Sequence, residues 1–185
     1  MTEETSIQKE SQNDDAAVVG YLKNLAARQD RAALAHLRRG LGKKPGEAME
    51  MYPHVGRFIT EKTNASHDRA VFLVSALFAD YWDAAQNIGD LGRSVRQLAK
   101  DTGSDSIERR FVALLDAEAD DLHYYLRQMV GLLRANDIAV NWNTLFNDIR
   151  YWGSPNRGVQ RKWARSFWGS AETNKITDPQ TGESI

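Results

Sequence analysis

Apolar residues along this chain recur at three- and four-residue intervals, and no stretch alternates strictly between apolar and polar as a half-buried strand does. Val18, Leu22 and Leu25, flanked by Tyr21, mark a first helical stripe. Asp30 is placed to cap a second helix carrying Leu34, Leu37 and Leu41, closed by Gly40 or Gly42. Lys43-Lys44-Pro45-Gly46 reads as a loop, and a short helix from Ala48 to Tyr52 stops before Pro53. Ser66 or Asp68 opens a helix that runs to Trp82. Its positions Val71, Phe72, Val74, Leu77 and Phe78 make it apolar nearly all round, as a central buried helix is. After a loop from Asn87 to Gly92, a short helix ends at Lys100. Asp105 with Glu108 resembles a capping box for the next, which buries Ile107, Phe111, Leu114 and Leu115. A helix from about Asp120 to Ala135 follows, then two more, Trp142 to Trp152 and Pro155 to Trp168, with Pro155 at a helix start. The expectation is an all-α chain of two small helical lobes, 16–102 and 103–170, meeting near Gly103. Residues 1–15 and 171–185 are read as disordered polar tails.

Composition narrows the function. There is no cysteine, which removes disulfides, thiolate metal sites and a cysteine nucleophile. No apolar run has the length of a membrane span and no signal peptide is visible, so a soluble cytoplasmic protein without membrane partners is expected. The net charge of −1 hides a split: 16–170 holds 22 basic against 17 acidic residues, while both tails are acidic. The folded part is therefore basic, which suits a polyanion.

The basic residues are not scattered evenly. From Ile149 to Ala171 the chain has Arg150, Arg157, Arg161, Lys162 and Arg165 and no acid, with Tyr151, Trp152, Trp163, Phe167 and Trp168 among them. In one continuous helix Arg157, Arg161 and Arg165 form a ridge, spaced roughly 6 Å apart. Val159, Trp163 and Phe167 form an opposite ridge, Lys162 broadens the basic face, and Trp168 projects near it. No carboxylate lies three or four residues from the ridge charges. Both a nucleic-acid contact and the solvated face of an amphipathic helix fit this pattern. The theme recurs at Arg38-Arg39, followed by Lys43-Lys44, and at Arg127 and Arg134, seven apart on one helix. It recurs at Arg109-Arg110, read in a helical first turn where the dipole disfavours cations.

Catalytic readings are poor. His36, His54, His67 and His123 lack metal-ligand spacing, and the Gly40 and Gly89 segments lack the setting and lysine of a phosphate loop. Asp116, Glu118, Asp120 and Asp121 cluster at a helix junction, where capping explains them. No catalytic residue, metal, cofactor or small-molecule substrate is expected. A hydrolase built on the acidic cluster is the least favoured reading.

Several ordered segments resemble the CasB family, the small subunit of the type I-E CRISPR Cascade complex. They include Asp30-Arg31-Ala32-Ala33-Leu34, Leu37-Arg38-Arg39-Gly40-Leu41-Gly42, Asp90-Leu91-Gly92 and Ser106-Ile107-Glu108-Arg109-Arg110-Phe111. Leu126-Arg127-Gln128, Val140-Asn141-Trp142 and Gln160-Arg161-Lys162-Trp163 continue the series. Asn141 departs from the Asp that commonly precedes Trp there. The resemblance spans Val18 to Trp168 and implies a non-catalytic, all-α subunit in antiviral defence. Its implied partners are crRNA, target and displaced DNA, the CasA, CasC, CasD and CasE subunits, and a second copy of itself. It places basic contacts on Arg38-Arg39, Arg109-Arg110, Arg127 and the Arg157–Arg165 helix. Because base pairing by the guide supplies sequence specificity, such a subunit needs only backbone contacts and stacking to prolong the R-loop. The second reading is a structural spacer whose basic residues meet neighbouring proteins.

Overall fold

A computed structural model describes residues 16–82 and 89–169, and every regular element among them is helical. Both tails and part of the Asn87–Gly92 loop lie outside the described residues. In order, the helices are α1 (residues 16–27), α2 (Arg31–Arg38), α3 (Tyr52–Val55), α4 (Ala65–Asp80), α5 (Leu91–Thr102), α6 (Asp105–Asp116), α7 (Leu122–Ala135), α8 (Trp142–Arg150) and α9 (Gly158–Trp168). Short 3₁₀ turns, Met49–Met51 and Gly56–Phe58, flank α3.

The apolar stripes fall inward as the periodicity requires. α4 buries every residue from Ala70 to Ala79, and it lies between α2 and α8. α5 packs along α9, and α6 along α7. α5 meets α9 backbone to backbone at Gly92. A Cβ at Gly92 would sit inside the Trp163 carbonyl, 2.8 Å from its carbon and 2.9 Å from Cα. Only a residue without a side chain lets the two backbones meet there. At the turn read as a lobe seam, Gly103 closes α5 with a left-handed φ of 60°. Across that turn α4 packs on α8 and α5 on α9, and the buried side chains join in one cluster.

Several helix ends differ from the sequence expectation. Asn64, not Ser66 or Asp68, caps α4 by accepting from the His67 amide at 2.9 Å. Ser104, not Asp105, caps α6. Pro53 does not end a helix but lies in the first turn of α3, where its missing N–H costs nothing. α4 stops at Asp80 and leaves Trp82 beyond the helix, while α5 starts at Leu91 and runs on to Thr102. Pro155 does not start α9. Asn156 Oδ1 instead accepts from the Gly158 amide at 3.1 Å, and Arg157 adopts a left-handed φ of 49°, so the helix begins at Gly158. Asn141 caps α8 through the Thr144 amide at 3.1 Å, so the departure from Asp leaves the cap intact.

Candidate nucleic-acid interface

The late start of α9 breaks the expected ridge. Arg157 sits before the helix and turns toward α6, donating to the Leu115 carbonyl at 2.5 Å with Asp116 at 3.7 Å. Arg161 folds back on its own helix start, and two of its guanidinium nitrogens donate to the Asn156 carbonyl, at 3.1 and 2.7 Å. Lys162 does not broaden a free basic face. Its ammonium pairs with Asp148 of α8, a carboxylate only 1% exposed. The other oxygen of Asp148 accepts from the Trp163 indole N–H at 2.6 Å. Burial raises the Asp148 carboxyl above its ordinary range, and the hydrogen bonds from Lys162 and Trp163 pull it part of the way back. Arg165 stays exposed, without a polar partner among the described residues.

The inward ridge is as the periodicity predicts: Val159, Trp163 and Phe167 are buried. Trp163 packs on Trp152 with ring centroids 5.0 Å apart. Trp168 is 45% exposed, but its N–H donates to Glu108 at 3.1 Å and its ring leans on Phe111. It is thus fastened to α6 rather than aligned with the α9 charges.

Elsewhere the cations also divide into compensated and uncompensated. Arg39 faces Glu50 at 3.5 Å, an exposed pair that water screens. Arg38 donates to the Leu34 carbonyl. Arg134 holds the C-terminus of α4 through Asp80, at 2.6 Å. Arg109 and Arg110 are exposed with no ion-pair partner among the described residues. Because α6 begins at Asp105, they occupy its second turn, and Asp105 and Glu108 supply the first turn with acid. The dipole argument made for them from sequence therefore does not hold.

Arg127 is the most informative of the ten. Gly42 has a φ of 74°, and the space a side chain would take there is filled by the Arg127 guanidinium. An exposed arginine from the middle of α7 thus lies against a left-handed glycine in the loop after α2. No carboxylate pairs with this guanidinium among the described residues. Lys43 and Lys44 follow Gly42 directly, so positive charge from two distant segments gathers at one place. Tyr124, 55% exposed, stands one turn before Arg127 on the same helix face. Nothing local in the sequence signals this junction, because its halves lie on separate helices and meet only through the fold.

The acidic cluster disperses. Asp116 turns to Arg157 and Asp120 to Arg69, at 3.7 and 3.4 Å. Among the described residues no three His, Asp or Glu side chains are placed to hold a metal. His36 and His54 share a ring-nitrogen contact of 3.0 Å between α2 and α3. Burial first, and then the His36 charge, push the His54 imidazole below its ordinary value. No described helix is long and apolar enough to cross a membrane.

Known proteins share this fold. The family described as CRISPR-associated protein Cse2 matches residues 33–168. A CRISPR-associated protein Cse2 from Thermus thermophilus is 35% identical over 146 residues, covering 78% of this chain and 83% of the relative. The crystal structure of CasB from Thermus thermophilus superposes with a TM-score of 0.74 at 33% identity, over 84% of this chain and 98% of that one. A chain of a CRISPR RNA-guided surveillance complex matches with a TM-score of 0.70 at 27% identity, over 84% and 92% of the two chains. On the ordered motifs, the helical fold and these matches together, the chain belongs to the CRISPR-associated Cse2 (CasB) family.

Proposed function

We propose that this protein is a non-catalytic subunit of a type I-E CRISPR RNA-guided surveillance complex. It grips the sugar–phosphate backbone of target or displaced DNA and so prolongs the R-loop. In this reading its neighbours are crRNA, the CasA, CasC, CasD and CasE subunits and a second copy of itself, in the cytoplasm, with 16–102 and 103–170 acting as two helical lobes on one core. The observation that carries the reading is the Gly42–Arg127 junction. An exposed guanidinium without a carboxylate partner among the described residues lies there against the glycine, and Lys43 follows it in the loop. An exposed cation with no carboxylate beside it keeps its charge for an incoming phosphate.

The same logic ranks the other candidates. Arg109, Arg110 and Arg165 remain available as further backbone contacts. Arg134, Arg157 and Lys162 spend their charge on Asp80, Asp116 and Asp148, and their first role is to fasten helices together. Because R-loop exchange is nearly balanced energetically, a few backbone contacts are enough to shift it. Crosslinking the assembled complex to an R-loop substrate tests the proposal. Adducts are expected on residues 42–44 and the outer face of α7. DNA adducts confined to other subunits, together with loss of assembly in Arg127→Ala, would establish the spacer reading instead.

A further inference from the structure

Beside the Gly42–Arg127 junction lies a cavity of about 450 Å³, open to solvent on one side, that the phosphate-gripping role does not use. The same loop builds both features. Its Gly42 end meets Arg127, and its Lys44–Gly46 end forms the cavity rim. Asp120 also lines it and lies just ahead of α7, the helix that carries Arg127. Resting on the proposed grip of the sugar–phosphate backbone, we infer that this cavity receives one unpaired nucleobase of the strand whose phosphates meet Arg127.

Three properties favour a base over other occupants. The first is charge. Two cations, Lys44 and Arg69, and two carboxylates, Asp68 and Asp120, line the cavity, so it carries no net charge, whereas Lys43 and Arg127 beside it do not line it. A phosphate gains nothing from a neutral site, whereas a polar heterocycle offering both donors and acceptors does. The second is the aromatic wall. Tyr52 meets Phe72 edge-on, with centroids 5.2 Å apart, and leaves 40% of its own surface exposed. A partly exposed ring that is fixed at one edge is a platform on which a base stacks whatever its sequence. The third is unused bonding capacity. Arg69 and Asp120 are 3.4 Å apart, a long contact, and the Asp120 side chain is 86% exposed, leaving acceptor positions for a base N–H such as the ring N–H of thymine. The volume falls within the range of small-molecule sites, which is ample for a single base.

The test compares binding of the full-length chain to a thymidine oligomer and to a base-free phosphodiester of equal length. The wild-type protein should bind the thymidine oligomer roughly ten-fold tighter. Tyr52→Ala should abolish that preference and leave affinity for the base-free strand unchanged, while Tyr52→Phe should retain it. Tyr52→Leu, which keeps an apolar contact with Phe72 and disturbs the fold less than Tyr52→Ala, should also lose the preference. Arg127→Ala should weaken both oligomers by the same factor. If Tyr52→Ala and Tyr52→Leu still prefer the thymidine oligomer, or wild type never does, the cavity inference fails. An equal loss in Arg127→Ala would in that case leave the phosphate reading standing. If Arg127→Ala alters neither affinity, or the chain binds neither strand, the phosphate reading falls and the inference with it. Intact base preference in Tyr52→Ala, with failure to join the other subunits, would give the cavity to a protein side chain and overturn the inference.

Discussion

Replacing Asp148 with Ala removes the one carboxylate that ties α8 to two consecutive residues of α9. The cost follows from what is left behind. Trp163 is fully buried, and its indole N–H loses its acceptor, which costs about 1–3 kcal/mol. Lys162 loses a charged partner, but its side chain is 40% exposed and water replaces much of that interaction. Breaking a fully buried pair costs about 3–5 kcal/mol. The partial exposure of Lys162 puts Asp148→Ala near the lower end, at about 3 kcal/mol. Asp148→Asn keeps an acceptor for Trp163 but turns its NH2 toward the Lys162 ammonium, which must find water instead, so it should cost less than Asp148→Ala, about 1–2 kcal/mol. The two variants also differ in pH dependence. The Asp148 carboxyl is raised in the folded state, so the native protein holds its proton to higher pH than the unfolded chain does. This group's contribution is then largest below the ordinary carboxylate range and declines as pH rises through the raised value. Asp148→Asn lacks that decline, so its stability relative to wild type should improve from acid toward neutral pH. Urea denaturation at several pH values measures both effects. A loss below about 1 kcal/mol for Asp148→Ala would refute the claim that this carboxylate anchors α9.

Other consequences are equally direct. Gly92→Ala should cost about 1–3 kcal/mol by forcing α5 from the Trp163 backbone, and an unchanged urea midpoint would contradict that crossing. Asn141→Ala should lose about 1 kcal/mol with the α8 cap, and Asn141→Asp should recover it, read by thermal denaturation. His54 is depressed in the folded state, so its contribution is present above the ordinary imidazole range and lost as pH falls through the lowered value. His54→Gln should flatten the stability profile over that window.

Much of the scaffold was legible from periodicity, because core burial along a helix is a local property. The α4 run and the Val159–Trp163–Phe167 ridge are buried as their spacing requires. Helix starts were less legible where two capping residues compete within a few positions, as at Ser104 and Asp105 or between Asn156 and Pro155. The fate of each cation was the least legible. Sequence spacing showed no carboxylate near the α9 charges, yet Asp148 and Asp116 reach Lys162 and Arg157 from other helices. The reverse holds at Arg127, whose packing on Gly42 depends on φ 74° in a distant loop. Residue type and spacing therefore located the basic residues, and only tertiary placement separated charges paired inside the fold from charges without a carboxylate beside them.

The central claim is that Arg127 keeps its charge for phosphate while Arg134 does not. The salt dependence of R-loop binding by the assembled complex tests it most directly. Arg127→Ala should reduce the slope of log affinity against log salt by about one and weaken all sequences equally. Arg134→Ala should lower stability and leave the slope as in wild type. A wild-type slope in a folded, fully assembled Arg127→Ala complex would contradict the account.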